Sequence, residues 1–191
     1  MYYLHMKMDL HWTLKVASIL LLFLIYIPMI SPNENWCKYS DLYSYVGELP
    51  KGVLISGNPA DEDTLTCIPL LSKRKVITAN YFTIASAYYK ELYETEKEIN
   101  LDIFKAYYSQ EPQEIIDYCN KYGITHITLN NYAFSENFLD KEALYHEPYN
   151  EYIKKVTKNR NFFLERIYNK GILLDGGRVS LIECESIETK Q

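Results

Sequence analysis

The chain has 191 residues, of which 48% are apolar and 24% charged; this suits one domain with an appendage and excludes wholesale disorder. Net charge is −5, and the residues ahead of an uncharged apolar stretch carry +1 (Lys7 and Lys15 against Asp9), leaving −6 on the remainder. Such a surface repels a phosphate backbone, and the only basic cluster, Lys73-Arg74-Lys75, is short, so nucleic acid is not expected as a partner.

The first predicted element is the strongest. From Val16 to Asn33 there are 18 residues without a charge, most of them large and apolar. At about 1.5 Å per residue they reach roughly 27 Å, close to the hydrocarbon thickness of a bilayer. Lys15 can snorkel toward headgroups, Trp12 and Trp36 flank the stretch at interfacial depth, and Pro28 falls in its last turns. A cleaved signal peptide would share the basic start and apolar core, but no small-x-small cleavage site follows Ile30. A soluble core helix would carry a polar face, and this stretch is apolar all round. We therefore read residues 13–33 as a transmembrane helix, residues 1–12 as a cytoplasmic stub and residues 36–191 as an extracytoplasmic domain. Lys7 and Lys15 ahead of the span, against Glu34 and Asp41 behind it, orient the chain by the positive-inside rule.

Beyond the span, strand-like and helix-like patterns alternate. "GVLISG" is a compact buried-strand run and "KVITANYF" a second strand. Residues 88–108 look helical, with a break expected near Asn100. "EPQEIIDYCNKYG" is a clear helix: Pro112 suits a first position, Ile115, Ile116, Cys119 and Tyr122 share a face, and Gly123 stops it. "ITHITLN" is a third strand, with Thr125, Ile127 and Leu129 on one face and Ile124, His126 and Thr128 on the other. Ser135 can cap a short helix and Asn150 another. "FFLERIYN", "GILLDGG" and "RVSLIEC" read as three short strands, with Asp175-Gly176-Gly177 as a hairpin signal. The expected fold is a three-layer α/β domain, with a mainly parallel sheet and a C-terminal antiparallel hairpin.

The four cysteines, Cys37, Cys67, Cys119 and Cys184, contain no CxxC pair and no zinc spacing. In an oxidising compartment they allow two bridges in three connectivities. The helix-core setting of Cys119 and the strand setting of Cys184 favour free buried thiols. Nineteen tyrosines suit the margin of a core, where the ring is buried and the hydroxyl stays polar.

The stretch "LISGNPAD", Leu54 to Asp61, ends a strand where open α/β sheets bind ligands. A phosphate site needs free backbone amides, whereas here one glycine precedes a proline and Asp61, Glu62 and Asp63 follow. Three carboxylates stabilise a helix start and repel an anion, so the stretch reads as a strand-to-helix turn with its own acidic cap. Asp61 and Asp63 also fit the D-x-D spacing that holds a hard cation, a pattern expected by chance among 25 acids, so no metal site and no cofactor are assigned. His126 reads as a core hydrogen-bonder, and His146 has no placed partner. The crevice candidates are Asn58, Asp61 and Arg74, with Tyr88 and Tyr89 as an aromatic platform at the sheet edge.

Two longer stretches, "ELPKGVLISGNPADEDTLTCIPLLSKRKVITANY" and "AYYSQEPQEIIDYCNKYGITHITLNNYAF", resemble the extracytoplasmic C-terminal domains of uncharacterised multi-spanning bacterial membrane proteins. Some of those are similar to transferases that use lipid-linked sugars. The resemblance implies a bilayer-anchored domain that contacts other membrane proteins, or a glycan or lipid-linked acceptor. It carries over no catalytic residue, because the catalytic acid of such transferases lies in a loop between earlier membrane helices. The expected function is thus a non-catalytic accessory or binding domain; the alternative is a glycosyltransferase or hydrolase using Asn58, Asp61 and Arg74.

Overall fold

The computed structural model describes residues 37–77, 90–141, 145 and 149–188. The chain divides into two units, Met1–Trp36 and Cys37–Gln191. The whole first unit, with the expected transmembrane helix, lies outside the described residues, as do Tyr88, Tyr89 and His146. Among the described residues no helix is long and apolar enough to cross a membrane.

Helix α1 (Ser40–Glu48) buries Leu42, Tyr43 and Val46, one helical stripe. Strand β1 (Leu54–Gly57) follows, and then α2 (Glu62–Cys67). Pro69 has no amide hydrogen, and the winding loosens there into a wider turn, Ile68–Ser72, closed by Lys73 in the left-handed region at φ 55°. Strand β2 is Lys75–Val76, and the rest of the run read as the second strand lies beyond Ile77, outside the described residues. Next come α3 (Lys90–Tyr107), α4 (Pro112–Tyr122), β3 (His126–Asn130), α5 (Glu136–Leu139), α6 (Tyr149–Val156) and α7 (Phe163–Arg166). The hairpin of β4 (Ile172–Leu174) and β5 (Val179–Glu183) precedes α8 (Glu185–Glu188).

The strand order is β2-β1-β3-β5-β4. β1 runs parallel to both β2 and β3, whereas β5 is antiparallel to both β3 and β4. The sheet is therefore mixed, not mainly parallel, because the final hairpin joins it by β5 pairing antiparallel with the middle strand β3. Strand alternation separates two cores. Ile127, Leu129 and Ile182 pack with α3, α4, α6 and α7, while Ile55, Val179 and Leu181 pack with α1 and α2. Gly57 is needed where the strands close up: a Cβ there would fall 2.2 Å from Thr128 Oγ1.

Several expectations are corrected. The cysteines are not free thiols: Cys37 bonds Cys67 and Cys119 bonds Cys184. One bridge lies in each core, Cys37–Cys67 beside α1 and α2, and Cys119–Cys184 between α4 and the end of β5. "FFLERIYN" is not a strand. Phe163, Leu164, Ile167 and Tyr168 recur at i, i+1, i+4 and i+5, and the segment winds into α7 and a single 3₁₀ turn. Helix α3 does not break at Asn100; the residue is fully buried within an unbroken helix, in the core. Asn150 lies inside α6 rather than before it.

Other readings hold. α4 ends at Gly123 in the left-handed region at φ 66°, and the Ser135 hydroxyl accepts from the Phe138 amide to cap α5. The first turn of α1 is capped from far away. Asp175, in the hairpin bend, accepts from the backbone amides of Asp41 at 3.2 Å and Leu42 at 3.0 Å.

Candidate functional site

Strands β1 and β3 run side by side in parallel, and each ends in asparagine chemistry. Asn58 follows β1 and Asn130 closes β3. The two side chains act alike. Each carbonyl oxygen accepts from the amide two residues on, Ala60 for Asn58 and Tyr132 for Asn130, both at 3.0 Å. Each side-chain amide donates to a tyrosine hydroxyl: Asn58 to Tyr108 at 2.7 Å, Asn130 to Tyr39 at 2.9 Å. The Tyr108 hydroxyl in turn donates to the Ala133 carbonyl at 3.2 Å, tying the two strand ends together.

A cleft opens over these turns, at the carboxyl end of the two strands. It has two hollows of about 350 and 450 Å³ that share a wall of Tyr39, Asn130 and Tyr132. Asp61, Lys38 and Lys141 border the first hollow; Arg178 and Glu165 border the second. The Tyr132 ring is 49% exposed, with the Lys141 ammonium 5.3 Å from its centroid. The Arg178 guanidinium lies 5.7 Å over the Tyr39 ring while its Nε donates to the Asp175 carbonyl. Behind the wall, Tyr107 stacks on Phe134 at 5.0 Å and Tyr108 meets Phe162 edge-on, so the floor is rigid aromatic packing.

The chemistry on offer is recognition. Burial holds the Tyr107 and Tyr108 hydroxyls well above the ordinary tyrosine range, and the Asp61 carboxylate pushes them further up, so both stay neutral hydrogen-bonding groups. Ser135, the serine of the cleft, is spent as the α5 cap and donates to the Tyr132 carbonyl at 2.7 Å. The Asp61 carboxylate accepts from the Thr64 hydroxyl at 2.6 Å and sits half-buried at the start of α2; "LISGNPAD" is the expected strand-to-helix turn, but without the expected acidic cap, since the Asp61 side chain makes no capping bond to α2. Among the described residues no group of three or more His, Cys, Asp or Glu could hold a metal ion.

Of the crevice candidates, Asn58 and Asp61 come together and Arg74 does not join them. Arg74 precedes β2, whose Lys75 pairs with Leu54 at the amino end of β1. Its guanidinium donates to the carbonyls of Gly47 and Leu49 as α1 ends, and to that of Ser72 at 3.2 Å. Asn130, Tyr39, Tyr132, Lys141 and Arg178 escaped the sequence reading. Asn130 had a usable signal, a polar residue directly after the apolar run of β3, in the position Asn58 holds after β1.

His126 lies at the amino end of β3, where Cys119 and Cys184 line a groove of about 440 Å³. Its Nδ1 is 2.9 Å from Thr125 Oγ1 and its Nε2 is 3.8 Å from Glu183. Burial lowers its pKa, and the Glu183 charge only partly opposes this. The native state thus binds the proton less readily than the unfolded chain. The stabilisation is complete above the ordinary value of about 6.5 and is lost as the pH falls through the lower folded value. Urea midpoints measured at pH 8 and pH 5.5 should differ more for the natural chain than for His126→Gln; equal differences would remove His126 as a cause.

No family model matches the chain, and no curated protein matches it. Among solved structures, it is similar to the C-terminal globular domain of an oligosaccharyltransferase from Archaeoglobus fulgidus, at 15% identity and a TM-score of 0.42. The match covers 74% of this chain and 93% of that one. A likeness at this level carries no argument about what the chain does.

Proposed function

We propose that residues 37–188 form an extracytoplasmic binding domain, tethered by the apolar segment 13–33 to a bilayer. In this reading its cleft, at the carboxyl ends of β1 and β3, takes a hydroxyl-rich ligand such as a glycan or a lipid-linked saccharide. The observation that carries it is the cleft itself: an exposed Tyr132 ring beside the Asp61 carboxylate, rimmed by Lys38, Lys141 and Arg178. Sugars present C–H faces that pack on an aromatic ring, and hydroxyls that pair with carboxylates and cations. The two strand-end asparagines supply rigidity, since their hydrogen bonds are already made within the protein.

The compartment follows from separate observations. All four cysteines are paired, and disulfides persist in oxidising surroundings. That supports a domain held outside the cytoplasm, as the charge bias around segment 13–33 also does. An accessory role beside a glycan-handling membrane protein follows from the sequence resemblance alone. The alternative enzyme would need Arg74 with Asn58 and Asp61, and Arg74 is engaged at the other end of the sheet.

The test is calorimetric titration of the full chain, in nanodiscs, with soluble oligosaccharides and short-chain lipid-linked saccharides. Tyr132→Ala should bind about tenfold more weakly, the equivalent of about 1.4 kcal/mol. Arg74→Ala should leave the affinity unchanged and lower the unfolding midpoint. Heat traces without binding for every saccharide, from a chain that unfolds cooperatively, would remove the ligand reading. Resistance of the domain to protease on cells whose outer face is accessible would remove the compartment.

A further inference from the structure

We propose that the Leu70-Leu71 pair, with Lys73 and Lys75 beside it, is a second contact with the membrane: a wedge seated among the headgroups of an anionic bilayer. This rests on the reading of segment 13–33 as an anchor. Leu70 is 64% and Leu71 47% exposed, adjacent on the outer side of the Ile68–Ser72 turn. Two neighbouring leucines held out to solvent are a feature of contact surfaces rather than of folding.

The turn that presents them is fixed. Ile68 and Ser72 are buried at its two ends, and the Ser72 hydroxyl donates to the Tyr43 carbonyl of α1 at 2.8 Å. Arg74 ties the following residue to the carbonyls that end α1. Little conformational freedom is therefore left to lose on insertion. Lys73 and Lys75 are exposed on the same stretch, which matches the negative surface of anionic lipid.

Charge identifies the occupant. The two leucines are flanked by the exposed ammonium groups of Lys73 and Lys75, a pairing of apolar and cationic side chains that suits an anionic headgroup layer. In a tethered domain the anchor supplies the high local concentration, so a contact of two leucines and two lysines suffices.

The experiment uses the full chain in phosphatidylcholine vesicles with and without phosphatidylglycerol. Because the four native cysteines are paired, a spin label goes only to an introduced one: Leu70→Cys, Leu71→Cys, or Leu173→Cys as the control on edge strand β4, 46% exposed. Labels at 70 and 71 should show a several-fold higher ratio of collision with oxygen to collision with a polar relaxant than the label at 173. Adding Lys73→Glu and Lys75→Glu should reduce that ratio in the anionic vesicles and leave it unchanged in the neutral ones. Labels at 70 and 71 as wet as the control, on a chain that still resists carbonate extraction, would overturn the wedge and leave the anchor standing. Shielding from both reagents would overturn it in favour of a protein partner. Release by carbonate would remove the anchor and the wedge with it.

Discussion

Replacing Cys119 and Cys184 together by alanine is expected to cost about 4 kcal/mol of folding stability, by the loop-closure relation for residues 65 apart. The bridge joins α4 to the end of β5, and so pins the last strand to a helix that precedes β3. Without it the unfolded chain regains the freedom of that whole loop. The Cys37–Cys67 loop spans 30 residues, and its removal should cost about 0.7 kcal/mol less by the same scaling. Guanidinium titration of the full chain in micelles, with and without reductant, checks both. A pair variant that unfolds at the natural midpoint would show that the bridge does not form, and peptide mapping without reduction would identify any other of the three connectivities.

The second large effect is expected at Asp175. Its buried carboxylate accepts from two backbone amides in the first turn of α1, at 3.2 and 3.0 Å. No local side chain caps that helix, because its capping position is Tyr39. Asp175→Ala leaves both amides without their acceptor in a buried place, and forces alanine into the left-handed region at φ 51°. The combined cost is about 3 kcal/mol: charge-assisted bonds lost at a helix N-terminus and roughly 1 kcal/mol of backbone strain. Asp175→Gly separates the two, since glycine accepts the backbone and still lacks the carboxylate; it should recover only about 1 kcal/mol. Asp175→Asn, with an acceptor oxygen kept, should be the mildest of the three. Urea midpoints give the order, and a glycine variant as stable as the natural chain would mean that the cap contributes nothing. Tyr39 enters α1 directly and forms the shared wall of the cleft, so the alanine variant should also weaken the saccharide binding proposed for that cleft.

The placement of Arg74 shows how a site is misread from sequence. Arg74 and Asn58 are 16 residues apart, close enough in the chain to be grouped. Yet α2 and its wide turn carry the chain back along the sheet, so that β2 starts level with the start of β1. Any residue just before a parallel strand arrives at the amino edge, opposite the carboxyl-edge cleft. Asn130 is the converse: 72 residues from Asn58, but at the same edge because both end parallel neighbours.

Local pattern alone determined a good deal. The apolar runs of β1 and β3, the alternating faces of β3, the stripe and stop of α4, the Ser135 cap and the Asp-Gly-Gly hairpin are properties of neighbouring residues, set by strand and helix periodicity and by turn chemistry. Only the tertiary structure decided the rest. It paired the cysteines across 30 and 65 residues, turned "FFLERIYN" into a helix over an aromatic floor, kept α3 whole with Asn100 buried inside it, and brought Asp175 to the start of α1. Each depends on which distant groups meet once the sheet is assembled, and sequence spacing holds no record of that: the free energy of a disulfide, a cap or a buried amide depends on its partner, whatever the distance along the chain.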